Sequence, residues 1–344
     1  GERGTAVREV IELDLEELDW RGAVTGLGGL FVALAFIGLF GPVGMAAGIA
    51  ALFVVAADAD DVAGPDRAQV VLVVAGSVIT SIVGHAADST IAAALVIAAV
   101  TLGATLLVLL GPRYATSGAF ALMWAVLTLS IGATDESADT MALAFAAGGA
   151  IALAALAMAD RLAPPQPATD APTRGVPSAE PPSRWAIEVF AVVRALAAGL
   201  CVVIGYESFE DHAAWVVLTF VLVLRPPKEQ TTVVAFGRTL GTLGGVVLGI
   251  VAAQIVGDET WMLLVAFLVA GFFMVATTNV NYALSTAFTT TLLLLSERIL
   301  QDDVYSTGWT RLLATLTGVA MAFAVIAIMA ATTQLRNRST RGSP

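Results

Sequence analysis

Residues 238–249 read RTLGTLGGVVLG, and this stretch decides how the rest of the chain is interpreted. An arginine opens a long apolar run, and small residues follow it at close, regular spacings. Such spacings allow a second helix to approach closely within a lipid bilayer. We therefore predict a membrane-spanning helix whose packing face is made by Gly241, Thr242, Gly244, Gly245 and Gly249.

The composition of the whole chain is typical of a membrane protein. Of its 344 residues, 58% are hydrophobic and 13% are charged, and the mean hydropathy is +0.85. Its apolar runs continue for about 20 residues, the length that a helix needs to cross a bilayer. We expect helices because the backbone must satisfy its own hydrogen bonds in hydrocarbon, and the runs are too continuous for a transmembrane β-barrel.

Twelve such runs are visible, six on each side of a proline-rich segment. That segment, residues 162–184, holds seven of the 13 prolines and is typical of a flexible linker. It separates two membrane domains, residues 21–161 and 185–332, while residues 1–20 form a charged amphipathic segment and residues 333–344 a basic tail. The predicted spans are 21–39, 42–57, 68–85, 90–110, 114–132, 139–159, 186–205, 212–225, 234–256, 260–278, 280–297 and 308–331.

The two membrane domains resemble each other in sequence. Residues 114–120 (YATSGAF) match residues 282–288 (YALSTAF) at five of seven positions, and Arg21 and Arg194 each begin the pattern R-x4-G-L. Each domain has an even number of spans, so the second enters the membrane from the same side as the first. We therefore expect an all-α polytopic membrane protein with about twelve transmembrane helices in two parallel six-helix repeats, arranged as a fused pseudo-dimer.

The distribution of charge predicts the orientation. With the N-terminus inside, every Lys and Arg except Arg298 and Arg311 falls on the cytoplasmic side, as the positive-inside rule requires. The sequence thus predicts a protein of the plasma membrane with both termini in the cytoplasm. The net charge of −11 and the single lysine suggest a halophilic source, and this acidity argues against a nucleic-acid partner.

The sequence gives no indication of an enzyme. It contains no Walker-type glycine loop and no HExxH, GxSxG or CxxC motif. Its two histidines, His85 and His212, lie at predicted external helix ends, and its one cysteine, Cys201, lies in an apolar run. We predict no catalytic residue, no metal site and no cofactor.

Arginines at the ends of spans are the candidate anion-binding residues. Arg21, Arg67, Arg194 and Arg238 all lie at predicted cytoplasmic ends, and Arg67 is near the repeat position of Arg238. A ring of guanidinium groups at a pore mouth would attract anions, and arginine binds carboxylates through two donors. The alternative is that these residues are ordinary positive-inside anchors.

Arg311 opens the last predicted span, where the repeat alignment places Met141 in the first domain. A single arginine at an outer end could bind substrate, or it could pair with Glu297 or Asp303.

Hydroxyl groups recur in both repeats. Tyr114 and Ser117 correspond to Tyr282 and Ser285, and residues three apart share a helix face. These side chains could line a path for an anion, or they could hydrogen-bond neighbouring helices together.

The order W-x3-T at Trp215, a proline turn and R-x2-G-T-x2-G at Arg238 resembles the fusaric acid resistance protein-like family. It is also similar to the aromatic acid exporters and, more distantly, to the aluminium-activated malate channels. The resemblance covers 185–331 best and 20–160 more weakly. It implies a membrane transporter with aromatic carboxylates as cargo, and a six-span unit that pairs around an anion path.

Three functions follow from this reading. The first is secondary or passive transport of organic anions along a path at the repeat interface, with Arg21, Arg194 and Arg238 selecting the charge. The second is an anion channel for chloride or malate, and the third is a membrane scaffold without transport. The expected partners are membrane lipid and small organic anions, and assembly into a homo-oligomer is compatible with the sequence.

Overall fold

The computed structural model describes residues 43–44, 46–55, 57, 67–131, 137–162, 183–209, 212–224, 228–257, 259–277, 280–299 and 304–341. Within these stretches every regular element is helical and no strand occurs, so the predicted all-α class is confirmed for the described residues. The predicted segment 1–20, the first predicted span with Arg21, and residues 163–182 of the predicted linker lie outside them.

The described residues form eleven α-helices, and we number them in chain order. They are α1 Ala46–Val55, α2 Arg67–Ala86, α3 Thr90–Leu106, α4 Pro112–Ile131, α5 Ala138–Leu162, α6 Arg184–Phe209, α7 Ala213–Val223, α8 Lys228–Val256, α9 Thr260–Ala276, α10 Tyr282–Ile299 and α11 Val304–Arg341. A short 3-10 helix, Leu107–Leu110, extends α3.

Most of these bounds lie within four residues of the predicted spans, and two differ by more. Helix α8 begins at Lys228 and not at residue 234, because the polar residues KEQTT that precede the apolar run are compatible with a helix and contain no glycine or proline. Helix α11 continues to Arg341, so residues 333–341, predicted as a tail, are helical. The next glycine is Gly342, and no proline interrupts the helix before it.

Six helices in the described part of the chain are long and apolar enough to cross a membrane. They are Arg67–Ala86, Thr90–Leu110, Ala138–Met158, Arg184–Phe209, Thr231–Val256 and Val304–Ala331, and shorter apolar helices cover Ala46–Val55, Ala213–Val223, Trp261–Ala276 and Tyr282–Leu295. The chain is therefore a multi-pass integral membrane protein.

The described residues between 33 and 203 form one compact unit, in which α2 packs against α3, α4 and α5. The core of this unit contains Trp124, which is fully buried, stacks on Phe145 at a centroid distance of 4.7 Å and donates from Nε1 to Thr80 Oγ1 at 2.6 Å. Helices α1 and α5 approach so closely at Gly148 that an added Cβ would collide with the carbonyl oxygen of Ala47.

Helix α6 through residue 203 belongs to this same unit, although the sequence places it first in the second membrane domain. A Cβ on Gly199 would lie 3.0 Å from the carbonyl oxygen of Ala94, so the backbones of α6 and α3 approach closely there. Small residues on both helices permit this contact.

The described residues from 204 to 344 form the second unit, in which α8 packs against α7, α9, α10 and α11. Helix α11 meets α7 at Gly318, where a Cβ would lie 2.7 Å from the carbonyl oxygen of Val216. Gly318 is 170 positions after Gly148, and the two close contacts join α5 to α1 and α11 to α7. The two units thus use the same pairing of helices.

Candidate functional site

The predicted glycine face of α8 lies against α10. A Cβ on Gly241 would lie 2.6 Å from the Cβ of Thr286, and one on Gly245 would lie 2.6 Å from the Cβ of Thr290. Gly249 meets Leu294 in the same way, at 2.9 Å.

Thr242 is buried. Gly244 lies outside the tightest contact, because a Cβ added there would have Ala287 Cβ as its nearest neighbour, at 3.8 Å. The close seam therefore runs along every fourth residue of α8.

Arg238 lies on α8 one turn before this seam. We expected it at the end of a span, but the earlier start of α8 makes it the eleventh residue of the helix. At about 1.5 Å per residue it lies about 15 Å along the helix axis from Lys228. Only 9% of the arginine is exposed, so its charge is held inside the protein and not at a solvated helix end.

The guanidinium of Arg238 has one hydrogen-bond partner among the described residues. Its Nη1 donates to Tyr282 Oη at 3.5 Å, and its Nε is buried with no acceptor. No carboxylate in the described part of the chain pairs with it. Since Nη1 is directed to the tyrosine, the edge formed by Nε and Nη2, which can grip two oxygens at once, has no described protein acceptor.

Tyr282 is the first residue of α10, so Arg238 lies beside the N-terminus of that helix. Asn281 caps this end, because its Oδ1 accepts from the backbone N–H groups of Ala283 at 2.8 Å and Leu284 at 3.2 Å. A helix N-terminus carries partial positive charge. The arginine and the helix end therefore add to one another electrostatically, and both favour a nearby anion.

The other hydroxyls of α10 mainly bind the backbone. Ser285 Oγ donates to the carbonyl oxygen of Met274 on α9 at 3.2 Å, and Thr291 Oγ1 donates to that of Gly245 on α8 at 3.1 Å. For Ser285 the structure thus shows the interhelical hydrogen bond that was the alternative to lining a path. Such bonds hold α8, α9 and α10 together and support the position of Tyr282.

The corresponding residues of the first domain are arranged differently. Arg67 is the first residue of α2 and is exposed, whereas Arg238 is buried. Tyr114 is half-buried, and Ser117 is 2% exposed with an Oγ that has no hydrogen-bond partner. The repeated sequence therefore does not produce a second copy of the buried arginine at Arg67.

Arg194 lies within its helix and not at its end, because it is the eleventh residue of α6. Its Nη1 donates to Thr105 Oγ1 on α3 at 3.2 Å, and its guanidinium carbon lies 5.9 Å from the centroid of the Phe190 ring. The side chain is half-buried. It therefore bridges α6 and α3 inside the first unit.

Arg311 is the second buried arginine of the second unit, with 5% of it exposed. Its guanidinium carbon lies 3.7 Å from the centroid of Trp215, so the cation stacks on the ring. The side chains of Glu297 and Asp303, the partners considered from sequence, lie outside the described residues. The contact with Trp215 was not predicted from the sequence, where Trp215 begins the W-x3-T pattern and Arg311 lies in the last predicted span.

No metal site is indicated, since no group of three His, Cys, Asp or Glu side chains in the described residues could hold an ion. The polar groups around Arg238 in the second unit favour an anion rather than a metal ion. Arg238 supplies positive charge and guanidinium N–H donors, Tyr282 supplies a hydroxyl, and the start of α10 supplies the positive end of a helix dipole.

Comparisons with known proteins agree with the pattern at Trp215 and Arg238. Residues 192–325 match the family described as fusaric acid resistance protein-like. The chain is 32% identical over 126 residues to inner membrane protein YccS of Escherichia coli (strain K12). The matched region covers 37% of this chain and 17% of YccS. No solved structure matches the chain. The resemblance to the fusaric acid resistance protein-like family is therefore confirmed, and residues 192–325 are the part of the chain that carries it.

Proposed function

We propose that this chain transports small organic anions, with aromatic carboxylates as the preferred class, by secondary or passive transport. The observation that carries the proposal is the buried guanidinium of Arg238, which has a tyrosine hydroxyl and no carboxylate beside it among the described residues. Arginine remains charged at every physiological pH. Burial of this charge is costly when no described residue supplies a counter-ion, and an anionic substrate bound beside the arginine would offset that cost.

The geometry of the guanidinium supports a carboxylate. Tyr282 accepts from Nη1 and holds one side of the plane, so the Nε–Nη2 edge remains for two parallel hydrogen bonds. A carboxylate offers two oxygens at the matching spacing, whereas chloride offers one centre. The N-terminus of α10 adds backbone dipoles that attract the same charge. Tyr282 and Asn281 then serve to position the arginine and the helix end.

The resemblance supports the same class of substrate. The description of the matched family names resistance to fusaric acid, and fusaric acid is an aromatic carboxylic acid. The matched residues 192–325 include Trp215, Arg238, Tyr282 and Arg311. Because this chain corresponds to 17% of YccS, the activity of that whole protein is not a guide to this one.

The architecture that we propose is a fused pseudo-dimer of two parallel six-helix repeats, with both termini in the cytoplasm of a plasma membrane. The equivalent contacts at Gly148 and Gly318 support the repeats. Arg21 and Arg194 would then add positive charge to the path. A channel for chloride or malate would use the same residues, so saturation of the flux with substrate distinguishes a carrier from a channel.

Flux measurements in liposomes test this proposal. Purified protein is reconstituted, and uptake of labelled benzoate is compared for the wild type, Arg238→Gln and Arg161→Gln. Arg161 is an exposed residue at the end of α5 and serves as the matched loss of one positive charge. We expect Arg238→Gln to lower uptake by at least about tenfold, the effect of losing a charge-assisted hydrogen-bond pair, and Arg161→Gln to leave it unchanged.

As a folding control, both variants must show the same gel-filtration profile and the same melting temperature as the wild type. Unchanged uptake by well-folded Arg238→Gln would refute the role of Arg238. No anion uptake by folded wild type, together with no anion current in a planar bilayer, would favour the scaffold.

A further inference from the structure

We propose that the C-terminal end of α3 and the start of α6 form a binding site for an anionic phospholipid. The site lies wholly in the unit of residues 33–203 and is separate from Arg238. It does not depend on the transport proposal, because a lipid could bind here whether or not an anion crosses the protein.

The site is a crevice of about 450 Å³ whose walls are mostly apolar. Its lining residues are Gly103, Leu106, Leu107, Leu109, Leu110 and Arg184. Leucine side chains from the 3-10 helix form one wall, and Leu110 is 65% exposed. A hydrocarbon chain is the partner that matches such a surface, because leucine walls offer it contact area and no hydrogen bonds.

One of the lining residues of the crevice is a glycine, Gly103. A Cβ added to Gly103 would meet no atom within 4 Å, so the missing side chain leaves free space beside α3. The wall is fixed at its other end by Gly111, whose φ of 128° is accessible mainly to glycine. Pro112 then begins α4, so the apolar 3-10 turn is held between two helices.

The charge at the rim is positive. Arg184 lines the crevice and is exposed, and Arg113, the second residue of α4, is exposed immediately after the 3-10 turn. The one acidic partner of Arg184 among the described residues is Glu188, whose Oε1 accepts from Arg184 Nε at 2.9 Å. Such an exposed pair is weak. The two Nη groups of Arg184 can therefore bind a phosphate while Nε remains with Glu188.

The position of the crevice favours a lipid over a soluble anion. Leu110 ends one candidate span and Arg184 begins another, so the crevice opens where hydrocarbon meets headgroups. Trp185, next to Arg184, is 56% exposed, and exposed tryptophans are enriched at this level of a bilayer. A basic pocket between transmembrane helices at this level suits an anionic headgroup. An apolar crevice with a cationic rim thus fits an amphiphile with a negative head.

Lipid binding to the full chain in detergent tests the proposal by mass spectrometry. Phosphatidylglycerol and phosphatidylcholine with identical acyl chains are compared. We expect phosphatidylglycerol to bind about fivefold more tightly, the contribution expected of one surface arginine, and Arg184→Gln to remove that preference. Arg161→Gln, which changes an exposed arginine outside the crevice, should retain it.

Two variants of Gly103 distinguish lipid binding in the crevice from non-specific electrostatic binding of anionic lipid. A Cβ at residue 103 would meet no atom within 4 Å, so Gly103→Leu extends an apolar side chain from that free space into the crevice, whereas Gly103→Ala adds one methyl group. We expect Gly103→Leu to weaken phosphatidylglycerol binding at least about fivefold, through loss of acyl-chain contact, and Gly103→Ala to have a small effect.

Equal binding of both lipids by the wild type, or unchanged binding by folded Gly103→Leu, would overturn the proposal. So would competition by glycerol phosphate, because that would assign the site to a soluble anion.

Discussion

The guanidinium carbon of Arg311, the eighth residue of α11, lies 3.7 Å from the centre of the ring of Trp215, the third residue of α7. Both residues belong to the second unit, and Arg311 is almost fully buried. Met141, which the predicted repeat alignment places opposite Arg311, lies in an apolar cluster with Trp124 and Phe145. Of these two aligned positions, one thus holds a buried cation and the other a thioether.

We expect the Arg311–Trp215 stack to contribute measurably to stability. A cation–π contact that is shielded from water contributes about 2 kcal/mol. A double-mutant cycle with Trp215→Leu and Arg311→Met should give a coupling free energy of about 1–2 kcal/mol, because each single variant already loses the stack. Unfolding in detergent, followed by circular dichroism, measures the four free energies. A coupling close to zero would show that the two residues are near each other without stabilising the fold.

The seam between α8 and α10 predicts different outcomes for two adjacent glycines. A Cβ on Gly245 would lie 2.6 Å from Thr290 Cβ, whereas one on Gly244 would have its nearest contact at 3.8 Å. We expect Gly245→Ala to destabilise the protein by about 1–3 kcal/mol through overpacking, and Gly244→Ala to be neutral or slightly stabilising. Thermal unfolding of the two variants under one set of conditions measures the difference. Equal melting temperatures would contradict the close approach of α8 and α10.

The proposed orientation can be checked with engineered cysteines. The one native cysteine, Cys201, is fully buried, and Cys201→Ala removes it so that a maleimide can react only with the engineered cysteine. Ser137 and Ser183 are both exposed, and the positive-inside rule places Ser137 outside and Ser183 in the cytoplasm.

In intact cells a membrane-impermeant maleimide should label Ser137→Cys, and it should label Ser183→Cys only after permeabilisation. The reverse pattern would invert the proposed topology.

Much of the helical framework could be predicted from the sequence. The apolar run predicted as span 68–85 is α2, Arg67–Ala86, because the length of an apolar run in a membrane protein sets the length of its helix. The start of α8 was missed, since the residues from Lys228 to Thr232 are polar and hydropathy alone does not assign them to a helix. This error placed Arg238 at a helix end.

The candidate site was predicted only in part. The sequence identified Arg238 and Tyr282, but their 3.5 Å contact depends on the glycine seam that brings α10 against α8. It identified Arg67 as a counterpart of Arg238, yet one is exposed and the other buried, because only Arg238 lies within its helix beside the end of another. Burial depends on neighbours that are distant in sequence.

The sequence by itself determined that this protein is helical and crosses a membrane several times, and it identified the family that residues 192–325 resemble. These properties follow from local hydrophobicity and from short motifs, which are written along the chain. Only the tertiary structure decided that Arg238 is buried with a hydroxyl partner, that Arg311 stacks on Trp215, and that α6 packs against α3. The physical reason is that each contact joins residues from different helices, and close packing in the folded unit selects which of them meet.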